Sequence, residues 1–210
     1  MNQRNKLIFE RLVEMHPDAQ CELTHHSTFE LLVSVLLSAR CTDKRVNIIT
    51  KDLFKVANTP EQMANMPVEE LERYIYSCGF YKAKARNIHN MSAKIVQLGY
   101  VPDKVNELVS LPGVGIKTAS VMQSVAYNRP AIAVDTHVHR VSNRLGIVHT
   151  KRPEDTQKQL ERQFDESLWS QLHHLLIFHG RYICKSQNPD CNRCTLNEIC
   201  EWYKQNNERE

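Results

Sequence analysis

No apolar run in this sequence is long enough to cross a bilayer. The most apolar stretch, Phe29 to Ala39, falls well short of the ~20 residues that a spanning helix needs. An export signal is not expected either. Arg4 to Glu14 mixes charges with Leu7, Ile8 and Leu12, which is the pattern of an amphipathic helix. Seven cysteines without an export signal belong in a reducing compartment. Disulfides are then not expected, and clustered cysteines point to a metal centre. Sustained alternation of period two is lacking, so no sheet is predicted. Low-complexity tracts and a clear linker are lacking too. Strong charge is also missing: the net charge is +3 and the isoelectric point is near 8.4. Those values permit a nucleic-acid partner without arguing for one.

What is present is helix after helix across 210 residues, 41% of them apolar and 24% charged. Ser27 with Glu30 three residues on predicts a capping box that opens the helix around Phe29–Ala39. Val46, Ile49, Leu53 and Val56 fall at helical spacing. Thr59-Pro60-Glu61-Gln62 reads as an N-cap followed by proline in the first turn. Val68, Leu71 and Ile75 form a stripe that Gly79 is expected to end. Ile88, Met91 and Ile95 form another, ending near Gly99. Val138, Val141 and Leu145 follow Asp135 and stop at Gly146. Leu168, Leu172 and Leu175 lead to Gly180. The break at Arg129-Pro130 and the cysteine-rich tail after Gly180 predict a bipartite chain.

Leu111-Pro112-Gly113-Val114-Gly115 lies between two helical patterns, Asp103–Ser110 and Lys117–Tyr127. Proline and two glycines force a tight turn there. Backbone N–H groups at Gly113, Val114 and Gly115 can approach a phosphate, and the next helix adds its positive end. Such a helix–hairpin–helix grips a DNA backbone and reads no bases. The plainer alternative is a corner between two helices.

Lys117 opens the second helix. It is either a phosphate contact or a Schiff-base nucleophile. A free lysine has a pKa near ~10.4, whereas a nucleophile needs ~7–8, a difference of about 4 kcal/mol. Partial burial and the helix N-terminus both act in the required direction. Asp135, at the end of the apolar approach 131–134, is expected to cap a helix. A fixed, ionised carboxylate also suits the stabilisation of positive charge on a sugar, or the activation of a nearby nucleophile.

Cys184, Cys191, Cys194 and Cys200 have the spacing C-x6-C-x2-C-x5-C. Four thiolates in one loop need a compensating cation. Zinc sites more often show two CxxC pairs, and one is present; the spacing fits a four-cysteine iron–sulfur cluster better. Cys21, Cys41 and Cys78 are isolated in helical contexts and are expected in the core. His173 and His174 lack ligand-like spacing to the cluster and are expected to pack or face solvent.

Taken in order, LLVSVLLSARCTD, CGFYKAKARNI, LPGVGIKTAS, VDTHVHRVSNRLG and the cysteine tail resemble the endonuclease III family over about residues 5 to 203. These are bifunctional DNA glycosylases that also cleave abasic sites. The resemblance implies an all-α, two-lobed helix–hairpin–helix glycosylase fold. One lobe is a six-helix barrel over 22–130, with the hairpin motif at about 103–127. The other joins 1–21 to 131–210 and carries a [4Fe-4S] cluster on the four cysteines. DNA is expected to lie across the cleft between the lobes. Lys117 matches the family's catalytic lysine and Asp135 its aspartate.

Arg40 stands where the family pattern has Gln, and Phe80 where it has Leu. Both match positions that fill the gap left by a flipped nucleotide, so opposite-base preference is expected to differ. Lys185 and Arg193 are expected DNA contacts in the cluster loop, opposed by Asp190. The expected partner is double-stranded DNA with a damaged base or abasic site. The implied damaged bases are oxidised pyrimidines, and nothing in the pocket residues selects among them. A monomer in the bacterial cytoplasm is expected. The presence of Lys117 and the absence of a further C-terminal domain argue against a monofunctional adenine glycosylase. A non-enzymatic DNA-binding module with a structural metal would leave Asp135 unexplained.

Overall fold

The structure is a computed structural model that describes residues 1–207. Positions 208–210 of the expected cluster domain lie outside the described residues. Among the described residues every regular element is helical, as the missing period-two pattern predicted. The chain divides into two compact units, Glu22–Asn128 and Met1–Cys21 with the chain from Arg129 onward.

The first unit is built on helix α2 (Thr28–Ser38), following α1 (Gln3–Met15) of the other unit. Nine of its eleven residues are buried, so α2 is a central helix with no solvent face. Against it pack α3 (Asp43–Val56), α6 (Tyr81–Leu98) and α8 (Ile116–Val125), while α4 (Pro60–Asn65) and α5 (Val68–Ile75) pack on α6 and α7 (Val105–Leu108) packs on α8. Leu31, Leu32, Leu37, Leu53, Met63, Leu71, Ile75, Ile88 and Met91 are fully buried. Each such side chain contributes about 1.5–3 kcal/mol of transfer free energy.

Local signals set the boundaries, with two corrections. Thr59 and Gln62 form the reciprocal capping box, with Pro60 in the first turn. At α2 only half of the expected box forms. Ser27 accepts from the Glu30 N–H, but the Glu30 carboxylate turns back to accept from the His26 N–H at 2.6 Å. Its other oxygen takes a bond from Asn58 Nδ2 at 3.4 Å, so Glu30 spans two loops instead of closing its own cap. Secondly, α5 ends at Ile75, short of Gly79, and Gly79 does not take the left-handed conformation in the loop that follows. Phe80 does, with φ 59°.

The second unit holds α1, α9 (Thr136–Leu145), α10 (Pro153–Gln163), α11 (Trp169–Tyr182) and α12 (Glu201–Asn207). Ile8 and Leu12 of α1 join Val138, Val141, Leu145, Leu172 and Leu176 in one core. Arg4 fixes this docking by donating to the Leu145, Gly146 and Ile199 carbonyls. Gly146 ends α9 with φ 73°, as its position predicted, and a Cβ there would collide with the Glu201 carboxylate. Gly180 lets α11 approach the first turn of α9, where a Cβ would sit 2.8 Å from His137 Cβ.

Candidate nucleic-acid interface and active site

The hairpin is anchored from below. Leu111 and Val114 are buried, and the Val114 N–H closes the turn on the Leu111 carbonyl at 3.1 Å. Gly113 has φ 77°, and an added Cβ would meet Asn87 at 2.8 Å, so glycine is required on two counts. Gly115 is different: it is exposed, extended and faces open space. It caps α8 without a side chain. The N–H groups of Ile116, Lys117 and Thr118 therefore open the helix uncapped, the first internal bond running from Ala119 to Gly115. This is the geometry that receives a phosphate. Val114 belongs to the turn, with its N–H spent internally; the open donors follow Gly115. The flanking helix α7 is one turn long, shorter than the pattern Asp103–Ser110 predicted, because Pro102 and Pro112 bracket it.

Lys117 is the second residue of α8. Its side chain is exposed, so the free chain does not supply the partial burial expected for it. No hydrogen bond or ion pair to its amine is present among the described residues.

Asp135 is the N-cap of α9, reached through buried Ile132, Ala133 and Val134. Its Oδ1 accepts from the His137 and Val138 N–H groups at 2.9 and 2.8 Å. Its Oδ2 lies 3.0 Å from His137 Nδ1. Three donors thus orient one carboxylate that remains 14% exposed. His137 is a contributor that the sequence reading missed. Its position two residues after a capping aspartate was the available signal.

Arg40 and Phe80 lie on adjacent loops of the first unit. Both are left-handed, with φ 55° and 59°, a conformation that costs a non-glycine residue roughly 1–2 kcal/mol. The guanidinium carbon sits 5.0 Å from the Phe80 ring centroid, and Phe80 is 65% exposed. The ring and the cation over it attract, and at such an exposed site the pair is worth ~0.5–1 kcal/mol. Lys84, also missed, supports it. Its buried ammonium donates to the Leu37 and Ala39 carbonyls at 2.9 and 2.6 Å, satisfying the end of α2 just before Arg40. Burial holds its pKa below the usual lysine value. A lysine four residues after Phe80 on an otherwise regular helix gave no sequence sign of this.

Cys184, Cys191, Cys194 and Cys200 line one pocket of the second unit, with Leu145, Ile183 and His179. Burial raises the thiols of Cys191, Cys194 and Cys200, Cys194 to about 11, and the neighbouring cysteines add to the effect. Arg144 donates to Cys184 Sγ at 3.5 Å and stacks on Trp202. His179, pushed down to about 3 by burial, is neutral and lies 3.6 Å from Cys194 Sγ. Among the described residues no three candidate ligands already surround one metal position. The donor set itself is right for a soft, thiolate-bound group: four sulfurs face one pocket, with a guanidinium alongside. Lys185 and Arg193 are exposed at the rim, and Arg193 is paired with Asp190 at 3.3 Å. His173 is buried and His174 half-buried on α11.

Comparison with known proteins bears on these features together. Residues 33–166 match the HhH-GPD superfamily of base excision DNA repair proteins. Endonuclease III of Bacillus subtilis is 50% identical over 194 residues, covering 91% of this chain and 89% of that protein. Endonuclease III of Escherichia coli is 41% identical, covering 96% and 97%. A solved non-covalent endonuclease III–DNA complex superposes with a TM-score of 0.93 at 44% identity, over 100% of both chains. A thermostable thymine-DNA glycosylase shares the fold at a TM-score of 0.85 and 19% identity, over 97% and 98% of the chains. No helix among the described residues is long and apolar enough to cross a membrane. With this identity over almost its whole length, the chain belongs to the endonuclease III family of the HhH-GPD superfamily of base excision DNA repair proteins.

Proposed function

We propose that the protein removes oxidised pyrimidines from double-stranded DNA and then cleaves the abasic strand, with Lys117 as nucleophile and Asp135 as the catalytic carboxylate. The observation that carries this reading is the placement of Lys117. It opens α8 directly behind the uncapped, glycine-edged helix end, and its amine has no partner among the described residues. A phosphate held at that helix end brings the sugar of the same strand to the amine.

The damaged nucleotide leaves the stack so that C1′ becomes accessible. Lys117 Nζ forms a bond to C1′ and the base departs with the glycosidic electrons. Asp135, already oriented by three donors, stabilises positive charge at the sugar. The adduct nitrogen loses a proton, the C1′–O4′ bond opens with a proton going to the ring oxygen, and the resulting iminium acidifies C2′. Loss of the C2′ proton then expels the 3′ phosphate. The bound duplex, covering an amine that is exposed in the free chain, supplies its desolvation. Arg40 and Phe80 fill the vacated space, Phe80 by stacking and Arg40 by contact with the unpaired base or a phosphate.

Cys184, Cys191, Cys194 and Cys200 would hold a [4Fe-4S] cluster, which supplies a structural and DNA-positioning centre. Lys185 and Arg193 at that rim would meet the backbone. Iron and sulfide at four each per chain support the cluster; stoichiometric zinc without sulfide refutes it. The activity itself is tested with a duplex bearing one oxidised pyrimidine. Base release with a nick 3′ to the site is expected, both lost in Lys117→Gln. Release without any nick in wild type would remove the lyase step.

A further inference from the structure

Two cysteines outside the cluster lie against each other. Cys41 follows Arg40 on the loop after α2, and Cys78 precedes Gly79 and Phe80 on the loop before α6. Their sulfurs are 3.5 Å apart, in an S–H···S contact donated by Cys78. The loops touch elsewhere as well: a Cβ on Gly79 would stand 3.4 Å from the Arg40 carbonyl oxygen. Each cysteine is held by a turn, Cys41 N–H on the Ser38 carbonyl and Cys78 N–H on that of Ile75. A disulfide has an S–S bond of ~2.05 Å, so closing the pair moves the sulfurs together by roughly 1.5 Å.

The surroundings differentiate the two thiols. Cys78 is 2% exposed, and burial pushes its thiol up to about 12, so it remains a proton donor. Cys41 is half-buried and reachable by a small oxidant. It accepts the Cys78 S–H and interacts electrostatically with the Lys84 ammonium. These are the roles of an attacking and a resolving cysteine.

We propose that Cys41 and Cys78 are a peroxide-oxidisable dithiol whose disulfide ties the Arg40 loop to the Phe80 loop. The Cys41 thiolate attacks one oxygen of a hydroperoxide, forming a sulfenic acid and releasing hydroxide, or alkoxide from an organic peroxide. The Cys78 sulfur then gives up its proton and displaces hydroxide from the Cys41 sulfur. With hydrogen peroxide, two thiols yield one disulfide and two waters. Reduction by an external dithiol restores the pair. Oxidation joins the two loops that bear the projecting Arg40 and Phe80, which otherwise meet only through non-covalent contacts, by a covalent bond.

The test is peptide mapping of the intact holoprotein. It is treated with hydrogen peroxide, alkylated and digested with trypsin without reduction. Cleavage after Arg40, Lys44, Arg73 and Lys82 releases CTDK and YIYSCGFYK. The expected result is these two peptides joined, lighter by two hydrogens than their sum, and separated by dithiothreitol. In Cys78→Ser, Cys41 should instead be captured by dimedone as the sulfenic acid. Recovery of both peptides unlinked from peroxide-treated wild type, alkylated or over-oxidised, would overturn the proposal. So would linkage of either cysteine to the cluster loop in preference to the other. The mapping uses no DNA, so its outcome is independent of the glycosylase assignment.

Discussion

Replacing Asp135 separates its two jobs. The structure gives it a capping role through Oδ1, which accepts from two backbone N–H groups, and a charge that only the carboxylate carries. Asp135→Asn keeps an oxygen at the cap, and asparagine caps helices about as well as aspartate. Its amide nitrogen faces His137 Nδ1, which then has to accept instead of donate, so the imidazole takes its other tautomer. Stability should therefore change by no more than ~0.5 kcal/mol, whereas loss of a preorganised charge should slow base release by ~10²–10³. Asp135→Ala removes both the cap, worth ~0.5–2 kcal/mol, and the His137 bond, worth ~0.5–1.5 kcal/mol. The assay pairs urea denaturation with single-turnover base release for all three proteins. An asparagine variant as destabilised as alanine would refute the capping account. An asparagine variant as fast as wild type would refute the need for charge.

Lys84→Met should cost about 1–3 kcal/mol, because the Leu37 and Ala39 carbonyls lose a buried donor; urea titration checks the size, and an unchanged midpoint contradicts the support role. His174 is held below its ordinary pKa of 6.5 by burial first and Arg181 second. The unfolded chain then takes up protons below pH ~6.5 that the native chain resists, so stability present above that pH falls as the pH drops towards 5. His174→Gln should flatten that fall, measured as the denaturation midpoint across pH 5 to 7.5. Affinity for abasic duplex should decline steeply with salt, by about 0.9 in the log–log slope per phosphate contact. Binding that is flat from low to physiological salt would argue against the backbone grip assigned to the hairpin.

Much of the helical architecture was legible because its signals are local. Thr59-Pro60-Gln62, the αL glycines at Gly99 and Gly146, and the all-apolar α2 each act through neighbours in sequence. The sequence reading failed where contacts outside the local pattern decided the conformation. Glu30 was drawn to His26 and Asn58, breaking the predicted box. Phe80, and not the neighbouring Gly79, takes the left-handed conformation before α6, a choice no local propensity favours. The cap of Asp135 was readable from its place before a helix; the His137 contact on its second oxygen needed the rotamer. Lys84 and the Cys41–Cys78 contact depend on tertiary packing of α2, α5 and α6, which a linear pattern does not encode. Lys117 is legible from its place after the glycine turn and from the family resemblance; the structure adds an uncapped helix end and shows the side chain exposed instead of partly buried.

The central claim is that Lys117 Nζ bonds covalently to C1′. Borohydride reduces an iminium to a stable amine, so wild-type protein mixed with abasic-site duplex and borohydride should yield a cross-link that maps to Lys117. Lys117→Gln, folded and cluster-loaded, should yield none. Absence of the cross-link in folded wild type, or equal trapping by Lys117→Gln, would contradict the account.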